Sequence, residues 1–185
     1  MLSKVHAAAL RGVDALPVEV EVHVGPGEER GVMVGLPDAA VRESIDRVST
    51  ALTSSGYHLP PGKTTVNLAP ADLRKEGPSF DLPIAVGWLI ASEQTDKGIS
   101  ADYAMIGELA LTGAVRRVKG VLSVATRTHK EGRRGLLVPA ENAAEAAVVE
   151  GLEVIPVKTV REAAGFLAGT TPITPTYVDT KALFQ

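Results

Sequence analysis

The stretch RKEGPSFDLPIA, residues 74–85, decides the fold of this chain because it passes from a polar turn into an almost wholly apolar segment. Residues 81–93 are apolar on every side of a helical projection, which predicts a helix enclosed by the rest of the domain. Asp81 is expected in the first turn of that helix. Ser79 stands at its mouth, either as a nucleophile or as a residue that caps the helix.

The segments on both sides of this helix alternate between strand and helix patterns, which predicts an α/β domain. Before it, the patterns indicate a hairpin of strands at 3–12 and 16–25, a strand at 32–37, a long helix at 38–55 and a strand at 63–70. After it, they indicate strands at 104–109, 135–139 and 152–157, and helices at 120–130, 141–150 and 159–169. Thr159 and Glu162 form a capping-box pattern at the last helix.

The long helix at 38–55 carries charged residues at a spacing of four. Arg42 and Asp46 form one such pair, and Glu43 and Arg47 form the other. Side chains four residues apart are neighbours on a helix, so the pattern predicts two ion pairs on a solvated face. A solvated face is therefore the better explanation of these carboxylates than a catalytic site.

The composition is that of an ordinary globular domain, with 185 residues and a formal net charge of −3. Such a charge gives no general attraction to nucleic acid or to an anionic membrane. The chain has no cysteine, which excludes disulfides, thiolate metal sites and a cysteine nucleophile. Without a signal-peptide pattern or an apolar run long enough to cross a bilayer, we expect a cytoplasmic protein that does not bind membranes.

Sites for metals and nucleotides are not predicted in this chain. The histidines His6, His23, His58 and His129 are scattered and have no metal-binding spacing. The sequence PGKTT at 61–65 resembles the end of a P-loop, but Tyr57 stands where the first glycine is required and a strand pattern follows. A phosphate-binding loop needs that glycine and a helix after it.

One basic cluster, RTHKEGRR at 127–134, could contact DNA phosphates through its cationic side chains. These are Arg127, Lys130, Arg133 and Arg134. Cations at the end of a helix are also favoured by the helix dipole, and this is the stronger explanation of the cluster.

Ser79 would have backbone amides and a partly positive helix end beside it, which suits an oxyanion. A serine hydroxyl is a weak nucleophile unless a base removes its proton, and the pattern of residues identifies no base. From the pattern alone, capping is the stronger interpretation of Ser79.

Four segments together resemble a known family: VGLPDAAVRESIDRV, VNLAPADLRKEGPSFDLPIAVG, GELALTGAVRRVKG and VPAENAAEA. They are similar to the N-terminal domain of the Mg-chelatase-like AAA+ ATPases, the YifB/ComM-type competence proteins of bacteria. The resemblance implies a Lon-proteolytic-domain-like two-layer fold, with a mixed sheet packed with helices, over residues 1–169. Residues 170–185 would be a linker or tail leading to an AAA+ domain that this chain lacks.

Lon proteases have a similar Gly-Pro-Ser turn that carries the nucleophile, and this resemblance matches it to Ser79. A later Gly-Glu-x-x-Leu-x-Gly segment matches residues 107–113. Counting on without gaps, the general-base lysine of Lon falls at Leu122, so the chain departs from the Lon pattern where the chemistry needs it most. Lys119 lies three residues earlier and is the remaining candidate for a base. We therefore expect a scaffold without catalytic residues, in which Ser79 caps the buried helix.

The resemblance also implies a function for the longer protein. That protein would use ATP and Mg to drive a ring-forming motor on DNA, as in branch migration during natural transformation. This chain would be its accessory or assembly domain, with no nucleotide or metal site of its own. Its partners would be its own AAA+ motor domain, further copies of the protein in a ring and, through the longer protein, DNA. Two alternatives stay open: a residual Lon-like serine peptidase that uses Ser79, and a component of a chelatase that inserts magnesium into a porphyrin.

Overall fold

The computed structural model describes residues 1–183. The strands are β1 (Leu2–Arg11), β2 (Asp14–Gly25), β3 (Arg30–Val34), β4 (Lys63–Ala69), β5 (Tyr103–Met105), β6 (Glu108–Leu109), β7 (Val115–Arg116), β8 (Gly135–Pro139) and β9 (Glu153–Val157). The α-helices are α1 (Ala39–Arg42), α2 (Ser44–Ser54), α3 (Asp81–Ala91), α4 (Val121–Lys130), α5 (Ala143–Ala146), α6 (Val160–Ala168) and α7 (Thr180–Leu183).

Seven of these strands form one sheet in the order β3-β4-β2-β1-β5-β8-β9. β2 runs antiparallel to both β1 and β4, and the other neighbouring pairs are parallel. β6 and β7 form a separate antiparallel ribbon. The expected α/β fold, with a mixed sheet packed with helices, is confirmed.

Helices cover both faces of the sheet. On β8, Leu137 points to one face, while Leu136 and Val138 point to the other. The larger core contains Leu137 and lies under α2, α3 and α6, and the smaller core lies under α4 and α5. Successive side chains of a strand alternate between faces, so short apolar strands such as β8 supply both cores.

α3 is the enclosed helix that the apolar run predicts. Every residue from Asp81 to Leu89 is buried, and the helix packs on β1, β2 and α2. Burial of each large apolar side chain contributes about 1.5–3 kcal/mol, which makes this helix the centre of the larger core. It ends at Ala91, two residues before the expected end.

Three predicted elements are interrupted. The long helix breaks at Glu43 into α1 and α2, and the 141–150 helix is reduced to a 3₁₀ turn followed by α5. The strand expected at 104–109 divides into β5 and β6 around Gly107, which leaves the sheet. The Gly107 amide donates to the carbonyl oxygen of Ser79, and its own carbonyl accepts from the Leu82 amide. The backbone amide and carbonyl groups of Gly107 thus bond the start of α3 and not a neighbouring strand of the sheet.

The segment after α6 lies along the edge strand β9. The Thr176 amide donates to the carbonyl oxygen of Val154 at 2.8 Å. Ile173 packs against the larger core and Val178 against the smaller one. The proposed linker at 170–185 is therefore packed on the domain over much of its described length.

No helix within residues 1–183 combines the length and the apolar character needed to cross a membrane.

Candidate functional site: the Ser79 cleft

The turn before Ser79 is held by Asp38. One carboxylate oxygen of Asp38 accepts from the Val41 amide at 2.8 Å and so caps α1, while the other accepts from the Gly77 amide at 3.3 Å. Gly77 has φ +79°, a left-handed conformation that side chains disfavour, which explains glycine at this point of the turn. One acidic side chain thus links the start of α1 to the turn that carries Ser79.

Lys75 anchors the same turn from inside the protein. Its side chain is fully buried, and its ammonium group donates to the carbonyl oxygens of Gly35, at 2.7 Å, and Pro70. The Lys75 backbone pairs with the segment after β3 through bonds to Leu36 and Asp38. Burial lowers the pKa of Lys75 below its usual value of 10.5. No feature of the local sequence distinguishes Lys75 from an exposed turn lysine.

Ser79 lies in a 3₁₀ turn, Pro78–Phe80, directly before α3. Its carbonyl oxygen accepts from the Gly107 amide at 3.0 Å. Its hydroxyl, which is partly exposed, has no hydrogen-bond partner among residues 1–183. The N-cap of α3 is Phe80, and no side chain caps the helix. The expectation that Ser79 caps the buried helix is therefore wrong, because the 3₁₀ turn continues into α3 and moves the cap one residue along.

The polar group that holds the start of α3 is Asp81, whose side chain is fully buried. Its carboxylate accepts from the Ser44 hydroxyl at 2.5 Å and from the Leu109 amide at 3.0 Å. It also accepts two bonds from the Arg47 guanidinium, at 2.9 and 3.0 Å. The carboxylate is thus satisfied by α2 on one side and by β6 on the other.

The sequence predicted Arg47 on the solvated face of the helix, and this placement is wrong. The expected ion pair with Glu43 exists at 3.4 Å, but the guanidinium also turns inward to Asp81 and is 21% exposed. The hydrogen bonds to Asp81 raise the pKa of Arg47 above its usual value. Arg42 and Asp46 form no ion pair in the part of the chain that the structure describes. An acid at the head of a wholly apolar helix was the one available signal, because a buried carboxylate requires a charged partner.

A cleft of about 670 Å³ opens in front of Ser79. It is lined by the 76–79 turn, by Glu108 and by residues 117–119. The fold therefore brings Ser79 and Lys119 to one cleft across 40 residues of sequence, although no hydrogen bond joins them. A general base must come within hydrogen-bond reach of the hydroxyl that it deprotonates, and Lys119 does not reach Ser79 in this arrangement.

A family model matches the segment that contains the Ser79 turn, the buried helix α3 and the ribbon of β6 and β7. The model is described as subunit ChlI of Mg-chelatase, and it matches residues 20–142. This chain belongs to the ChlI family.

Individual members resemble the chain over most of its length. The uncharacterized protein YifB of Escherichia coli is 49% identical over 150 residues, which cover 81% of this chain and 29% of YifB. The competence protein ComM of Haemophilus influenzae is 41% identical over 168 residues, which cover 91% of this chain and 33% of ComM. The chain thus spans about a third of the length of these ChlI-family relatives.

A weaker similarity joins this ChlI-family chain to Lon proteases. Lon protease 2 of Bacillus subtilis is 26% identical over 162 residues, which cover 78% of this chain and 29% of the protease. Leu122, where the Lon base would fall by counting, is 45% exposed in the first turn of α4. It lies in a second depression, beside Val13 and Ser123, and not in the Ser79 cleft. The lysine that shares the cleft with the serine is Lys119.

The predicted DNA-contacting cluster is largely engaged within the ChlI-like domain. Arg127 donates to the carbonyl oxygen of Ala15 at 2.7 Å, and Arg133 donates to that of Ala101 at 2.7 Å. Arg134 pairs with Glu153 at 3.1 Å. Lys130 is exposed. DNA contact through these four side chains stays a prediction, and three of them would have to share or leave intramolecular partners to bind phosphate.

Proposed function

We propose that this chain is a non-catalytic accessory or assembly domain of a longer Mg-chelatase-like ATPase that acts on DNA in the bacterial cytoplasm. Its relatives YifB and ComM are about three times as long as the matched segment, which leaves room for a motor domain outside it. The name of ComM connects that relative to competence. Branch migration during natural transformation is the DNA activity proposed for the longer protein.

The observation that carries the non-catalytic assignment is the isolation of the Ser79 hydroxyl. Within residues 1–183 it has neither a base nor any other hydrogen-bond partner. By the resemblance to Lon proteases, counting without gaps puts Leu122 where the base lysine would fall. A serine without a base attacks a peptide bond poorly. The buried polar groups around it, Asp81 and Lys75, are occupied in holding the shape of the turn.

The chemistry of the longer protein belongs to segments outside this chain. ATP and Mg would bind an AAA+ domain, and assembly into a ring would bring several copies of this domain together. Sequencing the encoding gene past the codon for Gln185 tests this part of the proposal. A G-x-x-x-x-G-K-[ST] motif between a strand and a helix is the expected result, and a stop codon at that point would contradict it.

A residual peptidase is the second candidate, because Ser79 and Lys119 line one cleft. The Lys119 amine would have to come within hydrogen-bond reach of the Ser79 hydroxyl, with which it forms no hydrogen bond here. A component of a chelatase is the third candidate, because the matching family model is described as subunit ChlI of Mg-chelatase. Residues 1–183 contain no group of three or more His, Asp or Glu side chains that could hold a metal ion.

Peptide hydrolysis separates the accessory-domain proposal from the peptidase. The chain and its Ser79→Ala and Lys119→Met variants are incubated with fluorescein-labelled casein, and release of soluble fluorescence is measured. We expect no hydrolysis above the buffer blank for any of the three proteins. Hydrolysis by the unmodified chain that both substitutions abolish would overturn the non-catalytic assignment and establish the Ser79/Lys119 dyad.

A further inference from the structure

The outer side of α4 begins without the charges that usually cover a surface helix. The inner side of α4, with Val121 and Val124, packs in the smaller core. The outer side begins with Leu122, Ser123 and Thr126, none of which is charged. Leu122 is 45% exposed, although a helix on a domain surface normally turns charged and polar side chains to water.

The tip of the hairpin of β1 and β2 is fixed against this side of α4 and presents a second apolar side chain. Val13 is 86% exposed in the two-residue turn between the paired residues Arg11 and Asp14. Its carbonyl oxygen accepts from the Ser123 hydroxyl at 2.7 Å, which holds the tip on α4. This contact uses only the backbone of Val13, so a polar turn residue would serve the turn equally well. Neither the core nor the turn accounts for a valine at this position.

Val13 and Leu122 line one depression of about 200 Å³ together with Ser123, Thr126 and Lys130. We refer to these five residues as the hairpin–α4 surface. Lys130 is exposed and forms no ion pair with a described residue. Interfaces between domains of one chain are more polar than obligate interfaces, so two apolar side chains among hydroxyl groups and one cation suit such a contact.

The described chain leaves the domain on the same layer as α4. Val178 packs against the smaller core, and the Thr180 hydroxyl at the start of α7 donates to the Glu150 side chain at 2.8 Å. The next residue, Gly151, lies against the ring of His129 near the end of α4. α4 is about 15 Å long, and a small domain is about 30 Å across. A domain that follows α7 on this layer can therefore cover α4 along its whole length.

We propose that the hairpin–α4 surface docks the motor domain that follows this domain in the longer protein. The proposal rests on the function proposed above, because it needs a further domain after residue 185. The relatives YifB and ComM are about three times as long as the matched segment, which leaves room for such a domain in them. Val13 and Leu122 form the apolar centre of the contact, and Lys130 forms its charged rim. A second copy of this chain is the competing occupant.

The test measures how fast single thiols react with a maleimide in this chain and in the longer protein. The chain has no cysteine, so Val13→Cys and Leu122→Cys each place one thiol on the hairpin–α4 surface. The matched control is Leu111→Cys, at a leucine that is 55% exposed in the turn between β6 and β7. That turn lies against the end of α2, on the layer of the larger core. Mass spectrometry of the peptide that contains each thiol follows the labelling at two protein concentrations, and circular dichroism checks that each variant folds.

In this chain, the three thiols should react at similar rates because each position is exposed. In the longer protein, Val13→Cys and Leu122→Cys should react about tenfold more slowly, since a covered thiol reacts only in the undocked fraction. The rate for Leu111→Cys should not change. Adding Leu122→Glu to Val13→Cys should restore the fast rate, because docking would bury an unpaired charge, whereas adding Leu111→Glu should not.

Unchanged rates at positions 13 and 122, equal slowing at position 111, or no restoration by Leu122→Glu would overturn the proposal. Slowing that grows with protein concentration, or that already occurs in this chain, would identify a second copy as the occupant and would also overturn it.

The gene sequence after the codon for Gln185 lets the two proposals fail separately. A stop codon there would refute both. An ATPase motif in a protein whose thiols stay reactive would refute the docking surface alone. Slow labelling under a following segment that lacks this motif would refute the proposed function and leave the docking surface standing, with a different domain as its occupant.

Discussion

Ser79 and Asp81 are two residues apart, yet their surroundings are opposite. Asp81 is fully buried, and its carboxylate accepts four hydrogen bonds from α2 and β6. Ser79 is partly exposed, and its hydroxyl has no partner among the described residues. The contrast teaches that the strong polar interactions at the start of α3 hold Asp81, and that none of them involves the hydroxyl of the serine that the turn presents.

The largest effect should follow from breaking the Asp81 side of this contrast. Asp81→Ala leaves the Arg47 guanidinium and the Leu109 amide without their buried partner. Removing one member of a buried ion pair costs about 3–5 kcal/mol, so the free energy of unfolding should fall by that amount. Urea denaturation followed by circular dichroism measures the loss.

The control for Asp81 is Asp46→Ala, which removes an exposed carboxylate from α2 that forms no ion pair with a described residue. Its effect should stay within about 0.5 kcal/mol. Similar losses for Asp46→Ala and Asp81→Ala would show that the buried network does not carry the stability assigned to it.

An intermediate effect is expected at Lys75, which holds the other end of the turn. Lys75→Met keeps much of the side-chain volume but leaves the Gly35 and Pro70 carbonyl oxygens without their donor. An unsatisfied buried polar group costs about 1–3 kcal/mol, partly offset because the variant buries no ammonium group. We expect the free energy of unfolding to fall by about 1–2 kcal/mol at neutral pH.

The difference in the free energy of unfolding between the unmodified chain and Lys75→Met should increase with pH. Because burial lowers the pKa of Lys75 in the folded state, the unfolded chain binds more protons between that lowered pKa and 10.5. The stability of the unmodified chain should therefore rise relative to Lys75→Met as the pH increases through this window. Urea denaturation at a series of alkaline pH values measures the gap, with exposed Lys97→Met as the control. If the stability of the unmodified chain instead falls relative to Lys75→Met as the pH rises, the burial of a charged Lys75 is contradicted.

The smallest effect belongs to Ser79. Ser79→Ala removes a hydroxyl without a described partner, so the free energy of unfolding should change by less than about 0.5 kcal/mol. A loss of 1 kcal/mol or more in thermal or urea unfolding would mean that the hydroxyl makes a stabilising contact and would weaken the contrast with Asp81. Ser44→Ala, which removes a buried hydrogen bond to Asp81, is the matched positive control and should cost about 1–3 kcal/mol.

The sequence predicted the local elements well because their signals are local. The apolar run of α3 and the alternation of β2 indicate elements within single windows of the chain. The capping box of Thr159 and Glu162 is confirmed for the same reason, since both of its hydrogen bonds lie within one turn. The division of the strand at 104–109 was not predicted, because Gly107 leaves the sheet to bond the distant start of α3.

The candidate site was predicted only in part. The motif singled out Ser79, and counting from the Lon pattern left Lys119 as the alternative to Leu122; the structure places Ser79 and Lys119 in one cleft, and their roles stay a prediction. The sequence did not predict the roles of the buried charges. In the sequence, Arg47 has the spacing of a surface partner of Glu43, and Lys75 has the pattern of an ordinary exposed turn residue. Their partners, Asp81 and the carbonyl oxygen of Gly35, lie 34 and 40 residues away in the sequence.

By itself, the sequence determined the family, the α/β class, the enclosed helix and the position of the serine turn, because periodicity and short motifs encode each of them. Only the tertiary structure decided which charged side chains are buried and that the Asp81 carboxylate has hydrogen-bond partners. It also decided that Arg117 and Lys119 line the Ser79 cleft without a side-chain partner among the described residues. Those properties depend on which side chains the sheet brings together across long stretches of chain. An aspartate or a lysine is written the same way in the sequence whether its charged group is solvated or is buried against a partner.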